Sequence, residues 1–523
     1  MPVMLHLRVG SPEEFASVHQ FLRESGYTEP AICARLEIAS IHQLVGQPDI
    51  SFPTLAEDEP LALLIRIFLM SETASVATLD AMFQSPVVNA LRSLGLLTEA
   101  AEPGWLRASM ALYPAYGLYF VSDLWINVPG GASDMIADLV FPAIGPNTRD
   151  FCDILPQGPC EDFLELCSGT GVAALLAASN YASRSWAVDI TERSTFCAEF
   201  GRRLNAIENV SVVRGDLYAP LDGRRFDRIV AHPPYVPALE PDKLYCDGGP
   251  DGQRIVQSIV QGVASHLNPG GRFHCLTMGI ERKDLAFEQQ VRQWLPSPRA
   301  EFDVIFFVHK THSLAEFAHQ NTISRRGDRK LVKRWIAHFE SLGITSLALG
   351  EVVIRRVSAG DGGVTLRRVR GARSGRAEVE WLLRWQSFIE RRDSEWMLDS
   401  RPALSPEAEL CVKHRLRSGV LAPVQFTLQA EYPFSIECQT EPWMAIMLAR
   451  CDGMNTIAAI FESCRKDRLI HPEAPIDEFV KLMWTLISGG FLVVEGFCPP
   501  QMAGKPLDSD RQSDAIHASV AHG

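Results

Sequence analysis

The first 150 residues contain no lysine, and seven arginines there face seventeen acidic residues, which gives a net charge of −10. Such a segment should repel a phosphate backbone and is a poor nucleic-acid surface. The chain also lacks an apolar run near the ~18 residues of a membrane span. Its first residues lack the basic flank and apolar stretch of a secretion signal. We therefore expect a cytoplasmic protein with no membrane partner.

The twelve cysteines are scattered, with no Cys-x-x-Cys pair and no Cys/His grouping at zinc spacing. Neither a disulfide framework nor a metal site is indicated. The composition, 46% hydrophobic and 22% charged, is that of a globular protein. A chain of 523 residues exceeds what one core usually serves, so several domains are expected.

The spacing of apolar residues predicts helices in an N-terminal domain over 1–118, where residues 75–115 have a winged-helix-like order of helix, turn, helix and hairpin. In a second domain, 119–357, short β-branched runs alternate with helical stretches, which predicts a Rossmann-like α/β fold around a mostly parallel sheet. Seven strands are predicted: Asp162–Cys167, Ser185–Asp189, Val210–Arg214, Asp227–Ala231, Gly271–Met278, Phe302–Val308 and Ala348–Arg355. The charged, helical segment 310–345 is predicted to be an insertion between the last two.

From residue 358 onward, the sequence no longer alternates between strand-like and helical stretches. Residues 358–400 are predicted to be an arginine-rich linker and a charged helix, and 401–498 a small α+β, winged-helix-like domain. The end, 499–523, has little to bury and is predicted to be a disordered tail. Arginines cluster over 355–376, which is either the one plausible nucleic-acid surface or, as we favour, a solvated strand edge and loop.

The strand at Phe163 runs into a Gly-x-Gly turn followed by an alanine-rich helix, a pattern that lets a ligand approach the backbone closely. A dinucleotide-binding domain begins in the same way, but its third glycine is replaced here by Ala174. Acidic residues follow at the ends of the next two strands, where the first can accept both hydroxyls of a ribose. The cofactor-binding candidates are Glu165, Cys167, Gly169, Thr170, Gly171, Asp189, Ile190, Asp216 and Leu217.

The fourth predicted strand ends in His232-Pro233-Pro234-Tyr235. Here the sequence resembles the class I S-adenosylmethionine-dependent methyltransferases, whose fourth strand ends in Asn/Asp-Pro-Pro-Tyr. It is most similar to the HemK-type glutamine-N5 methyltransferases, over roughly 141–308 and 348–355. The resemblance implies S-adenosylmethionine as cofactor and a protein or peptide substrate. A nucleic-acid partner is left open but not favoured.

In that family, a side-chain oxygen at the first position and the next proline's carbonyl accept the two hydrogens of a planar –NH₂, while the aromatic ring stacks on its plane. The resemblance therefore implies catalytic roles for His232, Pro233 and Tyr235, with His232 also at the cofactor. Neutral imidazole can accept a hydrogen bond and imidazolium cannot, so turnover should fall below the ring's pKa, ~6.5 if unperturbed. His232 could instead act as a base toward an oxygen acceptor.

Two further segments are candidates for substrate contact. The resemblance extends to Tyr245–Gly252 and implies substrate-binding roles for Pro234, Tyr235, Val236, Gly248 and Gly249, although 247–252 could also be a plain surface turn. Residues 141–148 are read either as a loop closing over the site or as a simple turn.

The C-terminal domain has a weaker resemblance, carried by Ile446–Gly453 and Thr456–Phe461, to PqqD-like domains, in which a leader peptide adds a strand to a sheet edge. A dimerisation winged helix is the alternative. For the whole chain, the predicted function is methyl transfer to a planar nitrogen, foremost a side-chain amide. The alternatives are an rRNA or DNA base N-methyltransferase and a non-catalytic protein that retains the cofactor fold.

Overall fold

The computed structural model describes residues 5–45, 52–56, 58–125, 137–240, 243–296, 301–324, 328–357, 363–389, 394–417 and 419–502. Its contacts divide the chain into two units, Met1–Arg368 and Val369–Gly523. No helix within the described ranges is both long and apolar enough to cross a membrane.

The first unit begins with a helical segment and a small sheet. Its elements are α1 (Pro12–Glu24), α2 (Glu29–Leu36), α3 (Pro60–Phe68), β1 (Thr73–Ser75), α4 (Val76–Phe83), α5 (Ser85–Ser93), β2 (Leu97–Glu99), β3 (Trp105–Ala108), β4 (Ala111–Ala115) and β5 (Leu118–Ser122). Helix α1 starts at a capping box, in which Ser11 and Glu14 satisfy each other's backbone N–H groups. Strands β1, β3 and β2 form an antiparallel sheet, and α4 and α5 lie between β1 and β2 along the chain. The winged-helix-like assignment stays a prediction.

The larger part of the first unit alternates helices with strands. Its elements are α6 (Pro146–Ile154), β6 (Cys160–Leu166), α7 (Val172–Asn180), β7 (Ala182–Asp189), α8 (Glu192–Leu204), β8 (Val210–Arg214), β9 (Phe226–Ala231), α9 (Arg254–His266), β10 (Leu267–Arg282), α10 (Phe287–Trp294), β11 (Phe302–Ser313), α11 (Leu314–Ser324), α12 (Arg329–Ser341), β12 (Ile344–Arg356) and β13 (Thr365–Val369). Helices α11 and α12 lie between β11 and β12, in the segment predicted to be an insertion.

These strands form one sheet in the order β13-β11-β12-β10-β9-β6-β7-β8. Neighbours from β8 to β10 pair in parallel, and β12 pairs antiparallel with both β10 and β11. The Rossmann-like α/β prediction is confirmed, and each of the seven predicted strands is present. The predicted strand number is too low, because β13 adds an eighth strand within the segment predicted to be a linker.

The predicted boundary between residues 118 and 119 is also wrong, since it would cut β5, which pairs with β4. The N-terminal helices share their core with the large sheet's helices rather than forming a core of their own. Phe15 of α1 packs edge-on against Phe200 of α8, with ring centroids 4.9 Å apart. Asp123, just after β5, forms a buried ion pair with Arg193 of α8. One core therefore spans the first unit's two segments.

The second unit has its own core around Trp385, Met447 and Ile487. Its elements are α13 (Arg376–Ile389), α14 (Ser394–Asp399), β14 (Ala403–Leu404), β15 (Glu409–Arg417), β16 (Val420–Ala430), β17 (Ile436–Thr440), α15 (Pro442–Leu448), α16 (Ile457–Lys466), α17 (Ile476–Ser488) and β18 (Leu492–Val493). Strands β15, β16 and β17 form an antiparallel sheet. The PqqD-like assignment stays a prediction. Beyond residue 502, the predicted tail lies outside the described residues.

Candidate active site

The glycine turn lies between β6 and α7, at the carboxyl edge of the parallel strands, where α/β folds bind ligands. Its backbone is left-handed at Cys167, Gly169 and Gly171, with φ of +52°, +53° and +73°. A Cβ on Gly171 would lie 3.0 Å from Cβ of Ala198, whereas nothing lies within 4 Å of a Cβ built on Gly169. Thr170 is buried between them. Gly171 thus allows α8 to pack closely against the turn, whereas Gly169 leaves open space above it.

Asp189 ends β7 and is tied directly to this turn. Its carboxylate accepts hydrogen bonds from the backbone N–H groups of Gly169 and Thr191, both over 2.9 Å. Each carboxylate oxygen has a second lone pair, so acceptor capacity remains for a ligand hydroxyl. The next residue, Ile190, is an apolar side chain that is 51% exposed.

Glu165 lies near the end of β6, just before the glycine turn. It is buried, and its two carboxylate oxygens accept hydrogen bonds from the first turn of α7, at Ala173 N (3.2 Å) and Ala174 N (2.8 Å). Burial raises the pKa of Glu165 to about 8, against these hydrogen bonds, which lower it. Its oxygens face the helix, so Glu165 supports the turn from beneath, and its contact with the cofactor stays a prediction.

The third acidic candidate, Asp216, lies just past the end of β8 and is exposed. The adjoining Leu217 is half-buried, with a left-handed backbone at φ +48°. Gly215 N donates to the carbonyl of Asp189 over 2.9 Å, which joins this corner to the end of β7. The structure therefore brings together the turn, Asp189 and Asp216 at three neighbouring strand ends, as the sequence predicted.

His232 follows β9, the strand on the other side of β6. Its ring is half-buried and lies near those of Phe151 and Tyr235, with centroids 5.4 and 5.7 Å away. Within the described part of the chain, neither its ring nitrogens nor the Pro233 carbonyl has a hydrogen-bond partner. Burial lowers the pKa of His232 to about 4, so the value of ~6.5 expected for an unperturbed ring does not apply at this site.

Tyr235 is only 6% exposed, because its ring faces His232 at an interplanar angle of 24° and its hydroxyl accepts a hydrogen bond from Asn147 Nδ2 over 2.9 Å. Burial raises the pKa of this phenol. The half-buried side chains of the tetrapeptide are therefore His232 and Pro234, and Tyr235 supports them from behind. The stacking of Tyr235 on a substrate stays a prediction.

The 245–252 loop is hydrogen-bonded to the residues after the tetrapeptide, which argues against a plain surface turn. Val236 N donates to Cys246 O over 2.8 Å, and Gly248 N donates back to Val236 O over 2.9 Å. Gly249 O accepts from Ala238 N, also over 2.9 Å. A Cβ on Gly252 would lie 2.4 Å from the carbonyl oxygen of Tyr235, so this close approach requires glycine. Gly248 and Gly249 are themselves buried.

Several described arginines of the run 355–376 are held in ion pairs. Arg355 is buried in an ion pair with Asp303, and Arg356 pairs with Glu301 over 3.1 Å. Arg367 binds the carboxylates of Glu281 and Glu288. These pairs hold the sheet edge near β13 together, so the run offers little support for a nucleic-acid partner.

Sequence reasoning did not assign Asn147 or Phe151 to the site. Both lie in α6, and they reach Tyr235 and His232 only through the tertiary fold. The one signal in the sequence is the 141–148 segment, which is predicted to be either a loop closing over the site or a simple turn. Across the described ranges, no three His, Cys, Asp or Glu side chains are grouped so that they could hold a metal ion.

Residues 144–293, which contain the glycine turn, Asp189 and the tetrapeptide, match the model of the family described as "Methyltransferase small domain". This segment is similar to methyltransferase small domains. Its resemblance to the HemK-type enzymes, inferred from the motifs, is confirmed by curated relatives.

One relative of the methyltransferase small domain is the ribosomal protein uL3 glutamine methyltransferase of Bradyrhizobium diazoefficiens, 36% identical over 28% of this chain and 50% of the relative. Another is the release factor glutamine methyltransferase of Moorella thermoacetica, 35% identical over 24% and 51%. The chain thus spans about half the length of these curated relatives. A solved structure, the ribosomal protein L11 methylase of Lactobacillus delbrueckii subsp. bulgaricus, is 18% identical over 38% of this chain and 71% of that one, with a TM-score of 0.23.

Proposed function

We propose that this protein transfers a methyl group from S-adenosylmethionine to a planar nitrogen, and specifically to the side-chain amide of a Gln or Asn residue in a protein or peptide. The matched family and the glutamine specificity in its relatives' names support this proposal. So does the order of the sheet, which puts the glycine turn between Asp189 and His232.

The residues at the turn suit S-adenosylmethionine. Open space above Gly169 leaves room for a ligand against the backbone, and Asp189 keeps acceptor capacity for ribose hydroxyls. The exposed side chain of Ile190 offers an apolar contact beside it. When bound, the cofactor would supply a methyl group on a sulfonium centre: the C–S bond would break as the N–C bond forms, the neutral thioether would leave, and the amide nitrogen would give up one proton to solvent.

The observation that carries the acceptor assignment is a pair of neighbouring hydrogen-bond acceptors, the His232 ring and the Pro233 carbonyl, that have no partner in the described structure. Together they can hold both hydrogens of an –NH₂ group and leave its lone pair free for in-line attack. The pKa of about 4 keeps the His232 ring neutral at physiological pH, as an acceptor must be. The same pKa makes His232 a weak general base, which argues against an oxygen acceptor.

Calorimetry with S-adenosylmethionine and its demethylated product tests the cofactor, and both should bind with micromolar affinity while NAD should not. Tritiated methyl transfer to a Gln-containing peptide tests the acceptor, with the Gln→Glu peptide as matched control. We expect label on the first peptide and none on the second. Absence of cofactor binding would refute the enzyme assignment, and equal labelling of both peptides would refute the amide.

We also propose that the protein acts in the cytoplasm. All twelve of its cysteines are free thiols. This state suits a reducing compartment, where disulfides rarely persist.

A further inference from the structure

The outward face of α12 is basic in a chain whose net charge is −13. The segment 310–345 that contains it has seven Lys/Arg and three Asp/Glu residues, a net charge of +4. Arg329, Lys330 and Lys333 are exposed on the helix, within about one turn of one another. Their side chains have no ion pair or hydrogen bond to any described residue. This face is available to an anionic partner.

The helix is fixed firmly to the sheet. Trp335 and Phe339 are buried on its inner face, and their rings stack with centroids 5.4 Å apart. At its start, Asp328 caps the helix by accepting from Lys330 N (2.9 Å) and Leu331 N (3.1 Å). The cations therefore stand on a rigid element, so little conformational entropy of the backbone is lost when a ligand binds.

One flank of α12 contacts the loops that follow the tetrapeptide. His338 Nε2 donates a hydrogen bond to the carbonyl of Pro250 over 2.8 Å, and Arg334 pairs with Glu240 over 3.1 Å. Pro250 lies in the loop whose Gly248 and Gly252 meet Val236 and Tyr235. The basic face thus adjoins the loop that borders the proposed acceptor site.

We propose that α12 is the docking face for an acidic segment of the substrate protein, next to the amide that is methylated. This inference rests on the proposed function, because it places the segment beside the His232 and Pro233 acceptors. The cations would raise the rate of encounter and fix the direction in which the substrate chain enters.

An acidic polypeptide fits this face better than a nucleic acid does. Arg329, Lys330 and Lys333 cover about one helical turn, whereas a polynucleotide needs a longer track of positive charge. Arg355, Arg356 and Arg367 of the arginine run are held in internal ion pairs and cannot extend that track. The acidic N-terminal segment would add repulsion.

The test compares two short fluorescent peptides, one with a Gln followed by four Glu and the other with four Ser in their place, and a single-stranded oligouridine. Binding is measured by anisotropy at low and high salt, with the demethylated cofactor present. The Glu peptide should bind about tenfold more tightly than the Ser peptide, and salt should remove the difference. The double variant K330E/K333E should lose this preference.

The matched control is R8E/R107E, which makes the same change of charge at two exposed arginines of the first unit whose side chains form no ion pair with a described residue. It should keep the preference for the Glu peptide. Equal affinity for both peptides, an unaffected K330E/K333E, or tighter binding of the oligouridine would overturn the docking face. Calorimetry on the same proteins separates the two proposals, since bound S-adenosylmethionine with equal peptide affinities would leave the proposed function standing.

Discussion

The side-chain amide of Asn147 donates a hydrogen bond to the hydroxyl of Tyr235 over 2.9 Å. This contact joins the first turn of α6 to the segment after β9, two places far apart in the sequence. Since the Tyr235 ring faces that of His232, the bond fixes the wall against which the proposed acceptor ring rests. Asn147 is thereby a positioning residue.

Removing either partner of this bond should slow methyl transfer moderately. N147A and Y235F should each lower kcat/KM about fivefold, the equivalent of about 1 kcal/mol for a single neutral hydrogen bond. Because the two changes delete one interaction, the double variant should be little worse than either single one. Additive losses in this double-mutant cycle would show that the bond has no role in turnover.

D189A should weaken cofactor binding while leaving the fold intact. Two charge-assisted hydrogen bonds to the ribose are together worth about 2–4 kcal/mol, which predicts a loss of affinity of roughly thirtyfold or more in calorimetry. D216A, at the exposed end of β8, serves as a comparison and should have a smaller effect. An unchanged affinity in D189A would place the ribose elsewhere.

The pH–rate profile should be level across the physiological range. The lowered pKa of His232, about 4, keeps its ring neutral from pH 8 down to about 5, so kcat/KM should fall only as the pH approaches 4. H232N keeps an acceptor that does not titrate, and its profile should lack this acidic limb. An inactive H232N together with a wild-type rate that climbs through alkaline pH would instead mean general-base catalysis.

The same residue should make stability depend on pH. The folded protein resists protonation of His232 between pH 6.5 and about 4, whereas the unfolded chain accepts the proton, so stability is lost as the pH falls through this window. The free energy of unfolding should fall by at most about 3 kcal/mol, because the ring is partly exposed and solvent weakens the effect. Urea unfolding at pH 7 and 4.5 should show a smaller drop for H232N than for wild type; equal drops would contradict the lowered pKa.

Gly252 and Gly270 give a matched test of the loop behind the tetrapeptide, because both have φ of +77°. Only at Gly252 would a Cβ meet another group, the Tyr235 carbonyl at 2.4 Å. G270A should cost about 1 kcal/mol of stability from backbone strain alone, and G252A about 2–4 kcal/mol with a loss of turnover. Equal free energies of unfolding and equal turnover rates for the two variants would mean that the loop moves to accommodate the added methyl group at little cost.

The sheet was predictable because its signals are local. The predicted runs are short, rich in apolar and β-branched residues and bounded by turn residues, and most are separated by stretches of helical periodicity. The glycine turn and Asp189 follow from the same pattern, since neighbouring parallel strands bring their carboxyl ends together.

What the sequence could not indicate depends on pairing between distant residues. The sequence of β13 resembles an arginine-rich linker, because nothing in it indicates that Arg367 pairs with Glu281 and Glu288. Likewise, the pKa of His232 depends on burial against Phe151, and the tetrapeptide alone contains no sign of that neighbour. When the partners of such residues are unknown, their charge and polarity suggest, wrongly, that they lie on the surface.

The place of β12 in the sheet also bears on how the protein is made. This strand lies between β10 and β11, yet it is the last of the three to leave the ribosome, after both insertion helices. Until residue 356 has emerged, the long apolar edge of β10 has no partner, and open edges of this kind recruit other chains. Nascent chains that end before residue 344 should therefore aggregate more readily during translation in vitro than chains that extend beyond residue 356.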